Sequence, residues 1–162
     1  AFPLTTFLYN ESQQNRDIAV ELQAMWARHL GVNVNLALQE WKVYLNSLSS
    51  LDYGIARSSW VGDYPDPNTF LDIFVTGNGN NRTGWSDANY DRLIADAAKE
   101  TTPERRLEIL REAETILLRE QVPICPIFYY VGIQLYDPEK LGGIESNILD
   151  EHPVKAIYRK DR

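Results

Sequence analysis

Three segments within the first forty residues leave few folds open to this chain. Leu4-Thr5-Thr6-Phe7-Leu8-Tyr9 is β-branched and aromatic, and predicts a short strand. Asn10-Glu11-Ser12 follows as a turn and helix-cap signal. Apolar side chains then recur at Ile18, Ala19, Leu22, Met25, Trp26 and Leu30, at helical spacing, and Gly31 stands where a helix should end. Val32, Val34, Leu36 and Leu38 alternate with Asn33, Asn35, Ala37 and Gln39, the period of a strand with one polar face. Strand, helix and strand in this order imply parallel neighbours joined by a crossover. The expected fold class is α/β.

The remaining pattern extends the same alternation. Trp41, Tyr44, Leu45 and Leu48 predict a short amphipathic helix, and Tyr53 to Arg57 a strand. Trp60 to Asn68 reads as a loop, with Gly62, Pro65 and Pro67, and Phe70, Leu71, Ile73 and Phe74 as one or two helical turns. Gly77 to Asn81 is a turn. Ser86 is the expected cap of a helix carrying Tyr90, Leu93, Ile94 and Ala97 on one face. Thr102-Pro103-Glu104 opens another helix, with Leu107, Leu110, Ile116 and Leu117 in its stripe and Pro123 at its end. Ile124 to Val131 predicts a buried, tyrosine-rich strand. From Asp137 the pattern dissolves, apart from a short strand near Val154 to Tyr158.

Size and charge remove several function classes. A chain of 162 residues corresponds to about one domain and buries enough apolar surface to fold without metals or disulfides. The formal charge of −7 makes nucleic acid a poor partner, because phosphates are gripped by positive charge. No run of 18 apolar residues is present, so no membrane span is read. Ala1-Phe2-Pro3-Leu4 has neither a basic nor an apolar leader region, so no signal peptide is read. The opening strand looks like a start in mid-protein, and this gives no reason to place the chain in the cytoplasm.

Most catalytic chemistry finds no support. His29 and His152 lie far apart and no histidine or cysteine pair has ligand spacing, so neither a metal nor another cofactor is expected. The single cysteine, Cys125, sits in the apolar stretch Ile124-Cys125-Pro126-Ile127 and is expected to be buried and inert. There is no nucleophile elbow and no phosphate-binding glycine fingerprint. The segment from Arg57 to Pro67 is different. It packs an arginine, aromatic side chains, an acid and two prolines into a loop after a candidate strand. Trp60 and Tyr64 can wall a pocket, Asp63 can pair with a cation and Arg57 with a carboxylate, on a backbone that the prolines stiffen. A purely structural loop, with Trp60 in the core and Asp63 capping the next helix, accounts for the same residues.

Leu38-Gln39-Glu40-Trp41-Lys42 and Ala56-Arg57-Ser58-Ser59-Trp60-Val61-Gly62-Asp63-Tyr64-Pro65-Asp66-Pro67 resemble the extracytoplasmic solute-binding proteins of peptide importers. This is the oligopeptide- and dipeptide-binding family 5 of the ABC transporters. The resemblance continues through Asn89-Tyr90-Asp91-Arg92-Leu93-Ile94 and Val122 to Tyr130. It implies the C-terminal lobe of a clamshell of the type II periplasmic-binding kind, a mixed sheet flanked by helices. Residues 1–131 are expected to form the latter part of the second ligand-binding lobe. Residues 132–162 are expected to be a tail that in relatives returns to the first lobe.

The resemblance implies binding of a solute, here a peptide, and no enzymatic activity. Asp63 matches the acid that holds the ligand's α-ammonium. Ser59, Trp60 and Val61 match the segment that bonds the ligand's main chain, a mode that reads no side-chain identity. Trp41 matches a pocket-wall tryptophan, Arg57 an arginine for the ligand's carboxylate, and Tyr129 or Tyr130 a tyrosine near the ligand. Trp41 as a helix core residue and Arg57 as partner of a nearby carboxylate remain equally open. Some members place a second basic residue where this chain has Leu48, which leaves ligand length open. Nickel chelates, haem and oligosaccharides are alternative solutes in the same family, and a hydrolase using Asp63 with Asp66 is the reading from another class. The implied partners are a peptide, the first lobe and the permease of an ABC transporter, with self-association of an isolated lobe. The implied place is the periplasm or extracytoplasmic space, with anchoring through an absent N-terminus.

Overall fold

The strand β1 (Thr5–Asn10) lies in the middle of a three-stranded sheet, between β2 (Val34–Gln39) and β3 (Ile55–Ala56). Both pairings are parallel, running from Thr5↔Val34 to Asn10↔Gln39 on one side and through Phe7↔Ile55 and Leu8↔Ala56 on the other. These come from the computed structural model, which describes residues 3–147 and 149–160. The chain divides into two units. One runs to Trp60 and includes Gly77–Ser86; the other is Val61–Thr76 with the chain from Asp87 onward.

In the first unit, Phe7, Leu8 and Tyr9 are consecutive and all buried, which requires cover on both faces of the sheet. The helix α1 (Gln13–Leu30) covers one: Phe7, Tyr9, Ala19 and Val34 form a cluster completed by Leu22 and Trp26. The helix α2 (Trp41–Ser49) covers the other, where Leu8 meets Tyr44 and Leu48. Local chemistry fixes where α1 starts and stops. The Ser12 hydroxyl accepts the Asn15 N–H at 3.0 Å, and Gly31 adopts φ 66°, a left-handed conformation that glycine enters at no steric cost. Arg28 and His29 fall in the last turn, where the helix dipole favours positive charge. At α2 the Glu40 carboxylate accepts the Lys42 N–H at 2.9 Å.

The second unit is helical. The helix α3 (Asn68–Leu71) runs into a 3₁₀ turn at Asp72–Phe74. The helix α4 (Ala88–Ala97) packs on α5 (Pro103–Thr115), and α5 also meets α3. Leu71, Ile73, Tyr90, Leu93, Ile94, Ile109, Leu110 and Leu117 are buried here. Proline stands at the first turn of α5 as predicted. The expected cap of α4, Ser86, is one residue early: Asp87 has the extended backbone and its carboxylate accepts the Tyr90 N–H at 2.8 Å. A π-helical turn, Ile116–Glu120, ends α5, and Val122 follows at φ 49° before Pro123.

Beyond that point two expectations fail and a third is met only at its end. Ile124 to Val131 forms no strand and is largely exposed, with Tyr129 at 87%. A run apolar on both faces becomes a strand only when neighbours pair both edges and cover both faces, and among the described residues none pair it. Cys125 is accordingly exposed, not buried. The short strand predicted near Val154 to Tyr158 is a 3₁₀ turn, Val154–Ala156, followed by β5 (Tyr158–Arg159), which pairs antiparallel with β4 (Leu141–Gly142).

Candidate functional site

The predicted site residues divide between the two units. Trp41, Arg57, Ser59 and Trp60 belong to the first; Val61, Asp63, Tyr129 and Tyr130 belong to the second.

In the first unit the sheet delivers Arg57. Its N–H continues the β1–β3 ladder by donating to the Leu8 carbonyl at 2.8 Å, and its own carbonyl accepts the Tyr44 hydroxyl at 2.5 Å. Burial, the largest influence, raises the Tyr44 phenol above the ordinary tyrosine range, so it stays a protonated donor. Trp41 stacks on the Tyr44 ring, with centroids 5.7 Å apart at 26°, and remains 53% exposed. Trp41 is therefore not a core residue. It presents a flat aromatic surface on the ring that holds the Arg57 backbone. Ser58 and Ser59 follow, exposed and outside any strand. The Trp60 indole Nε1 is buried without a hydrogen-bond partner among the described residues. Leu48 lies in the core against Leu8 and Tyr44, so its position offers nothing to a ligand.

In the second unit the Asp63 loop is built from its own sequence. Gly62 is buried, and a Cβ there would stand 3.0 Å from Phe70 Cζ and 3.1 Å from Thr69 Cγ2. The Asp63 N–H donates to the Thr69 hydroxyl oxygen at 3.0 Å, while the Asp63 side chain is exposed, with no hydrogen bond or ion pair among the described residues. Asp63 thus does not cap α3. The cap position is Pro67; Asp66, just before it, accepts the Asn68 N–H at 2.9 Å and also takes Arg106 in a two-pronged ion pair at 2.7 and 2.9 Å. The Arg106 hydrogen bond holds the Asp66 carboxyl below the usual carboxylate range, which suits a structural anion and not a general acid. Asp72 is shifted the other way, first by burial and then by the negative charge of Asp63. Tyr130 packs edge-on against Phe128, with centroids 4.9 Å apart at 67°.

The residues that the sequence reading missed are Tyr44, Thr69 and Arg106. In the sequence Tyr44 stands in an apolar stripe with Leu45 and Leu48, which marks it only as a core residue. Arg106 lies forty positions from Asp66, and nothing local marks that pairing.

The first unit thus leads from a parallel sheet into the exposed Ser58 and Ser59, and the second presents the exposed Asp63 carboxylate. The sequence model for bacterial extracellular solute-binding proteins, family 5 (middle part) matches residues 1–82. The chain belongs to that family. It is 39% identical over 153 residues to the periplasmic murein peptide-binding protein MppA of Escherichia coli K12, covering 94% of this chain and 28% of that protein. It is 38% identical over 143 residues to the oligopeptide-binding protein OppA of Bacillus subtilis 168, covering 88% of this chain and 26% of that protein. The solved unliganded open form of MppA superposes with a TM-score of 0.83 at 35% identity, over 96% of this chain and 30% of that structure. The chain therefore spans less than a third of the relatives it matches.

Proposed function

We propose that this chain is part of the ligand-binding lobe of a receptor that captures peptides outside the cytoplasm and hands them to an ABC importer, without chemical change. The Asp63 carboxylate pairs with the ligand's α-ammonium. Ser59, Trp60 and Val61 supply main-chain hydrogen bonds to an extended ligand, with Trp41 and Tyr130 as apolar walls and Arg57 for a carboxylate. The observation that carries this reading is the Asp63 carboxylate itself: it is exposed and has no hydrogen bond or ion pair among the described residues, while Asp66, on the same loop, is held by Arg106 and by the Asn68 N–H. The reading is also supported by relatives named for murein peptides and oligopeptides. Binding chemistry does not follow from fold alone, so the ligand must be identified directly. Mass spectrometry of solute extracted from the full-length receptor is expected to find short peptides with free amino termini. Recovery of a nickel chelate, haem or oligosaccharide instead would overturn the peptide assignment.

The apolar strip along residues 127–136, with Val131 at 80% and Leu135 at 93% exposure, is the face for the rest of the receptor. On this reading residues 132–162 return to the other lobe, and lobe closure on the peptide signals to the permease. The isolated chain is expected to bind an apolar dye and self-associate through this strip, whereas the full receptor does neither. Dye fluorescence with sedimentation checks this; a monomeric, dye-silent chain removes the strip as an interface.

A further inference from the structure

We infer that Arg106 is a positioning residue for the ligand's ammonium: through Asp66 and Thr69 it sets the direction in which the Asp63 carboxylate points. This rests on the reading of Asp63 given above. The relay is continuous. The guanidinium grips both Asp66 oxygens, Nη1 to Oδ2 at 2.7 Å and Nη2 to Oδ1 at 2.9 Å. The Asp66 carbonyl accepts the Thr69 N–H at 3.2 Å, and the Asp66 N–H donates to the Tyr64 carbonyl at 2.9 Å. Thr69 is 1% exposed, and its hydroxyl oxygen takes the Asp63 N–H at 3.0 Å. The bonds run without a gap from the first turn of a 13-residue helix to the backbone of residue 63.

Asp63 needs such a relay because nothing else aims it. Its side chain has no hydrogen bond or ion pair of its own among the described residues. Cutting the relay frees the backbone at residue 63 to turn the carboxylate away from a cation-binding pose. The start of α3 does not need the arginine, since Asp66 already accepts the Asn68 N–H. What the guanidinium adds is a planar fork that fixes the orientation of the Asp66 carboxylate, which a lysine ammonium, as a point charge, does not reproduce.

The test separates aiming from mere stability by using two ligands. The full-length receptor is titrated calorimetrically with a free-amine peptide and its N-acetylated twin, in the parent, Asp63→Asn, Arg106→Ala, Arg106→Lys and Thr69→Val forms. The readout is the ratio of the two affinities. Arg106→Ala is expected to lower the ratio about tenfold, the weight of one charge-assisted hydrogen bond, while affinity for the acetylated peptide holds. Arg106→Lys should recover part of the ratio, and Thr69→Val, which keeps side-chain volume but severs the last link, should lower it. If Arg106→Ala does not fold, Arg106→Lys and Thr69→Val decide the matter between them. A parallel fall for both peptides shows a structural role only and overturns the inference. So does an unchanged ratio in the arginine and threonine variants when Asp63→Asn collapses it. A ratio untouched by Asp63→Asn defeats the reading of Asp63 itself, and the inference with it.

Discussion

Asp63→Asn in the full-length receptor is expected to weaken binding of a free-amine peptide by about two to four powers of ten. The substitution nearly keeps the shape and the loop's main-chain bond to Thr69, so the fold stays intact. On the proposed function it removes the counter-charge of the ligand's α-ammonium. In a receptor that closes on the peptide and expels water, an ion stripped of its partner costs on the order of 3–5 kcal/mol, which is the loss given above. The complementary change, acetylating the peptide, should cost the parent protein a similar amount and Asp63→Asn little. Arg57→Ala should depend on ligand length, because only some lengths bring a carboxylate to it. Titration of both proteins with both peptides checks this: equal affinities in all four combinations remove Asp63 from the binding site and with it the main reason to prefer a peptide.

The second large effect is on the fold. Tyr90 is wholly buried on α4, and its hydroxyl donates to the Leu71 carbonyl at 2.6 Å, tying α4 to the end of α3. Burial, followed by the charges of Asp72 and Asp91, pushes its phenol far above the ordinary tyrosine range, which keeps the hydroxyl a donor. Tyr90→Ala leaves both a cavity and an unsatisfied carbonyl. By comparison with other large aromatic truncations the cost is about 3–5 kcal/mol, a large part of the about 5–15 kcal/mol that holds a domain together. Tyr90→Phe keeps the ring and costs about 1–3 kcal/mol, for the stranded Leu71 carbonyl. Hydrogen exchange of the α4 and α5 amides in the receptor reads this directly, because local opening reports the stability of the unit that opens. Alanine should accelerate it by about two powers of ten or more, phenylalanine by clearly less; indistinguishable protection in parent and alanine variant would show that Tyr90 does not hold the helices together.

Ser12, Gly31, Pro103 and the alternating residues of β2 show what could be read in advance. Their effects run over one to four positions, through a capping hydrogen bond, a left-handed φ or a repeat of apolar side chains, so the string itself contains both partners. The parallel β-α-β opening followed from that arithmetic, and the Arg57 to Pro67 segment stood out by residue type. Ile124 to Val131 shows the converse. Its composition states that it must be covered, but what covers it lies elsewhere, so strand and exposed strip are equally consistent with the letters.

The sequence by itself thus determined the α/β opening, the ends of its helices, the family and the loop on which the acid sits. Only the tertiary structure decided what each acid in that loop does. Asp63 and Asp66 are three residues apart and chemically identical. One is bare and exposed, the other is locked in the fork of Arg106, and the arginine arrives from forty positions away because α5 packs against α3. A carboxylate's role is set by the charge and hydrogen-bond donors within a few ångströms, and for these two residues those neighbours exist only once the chain has folded.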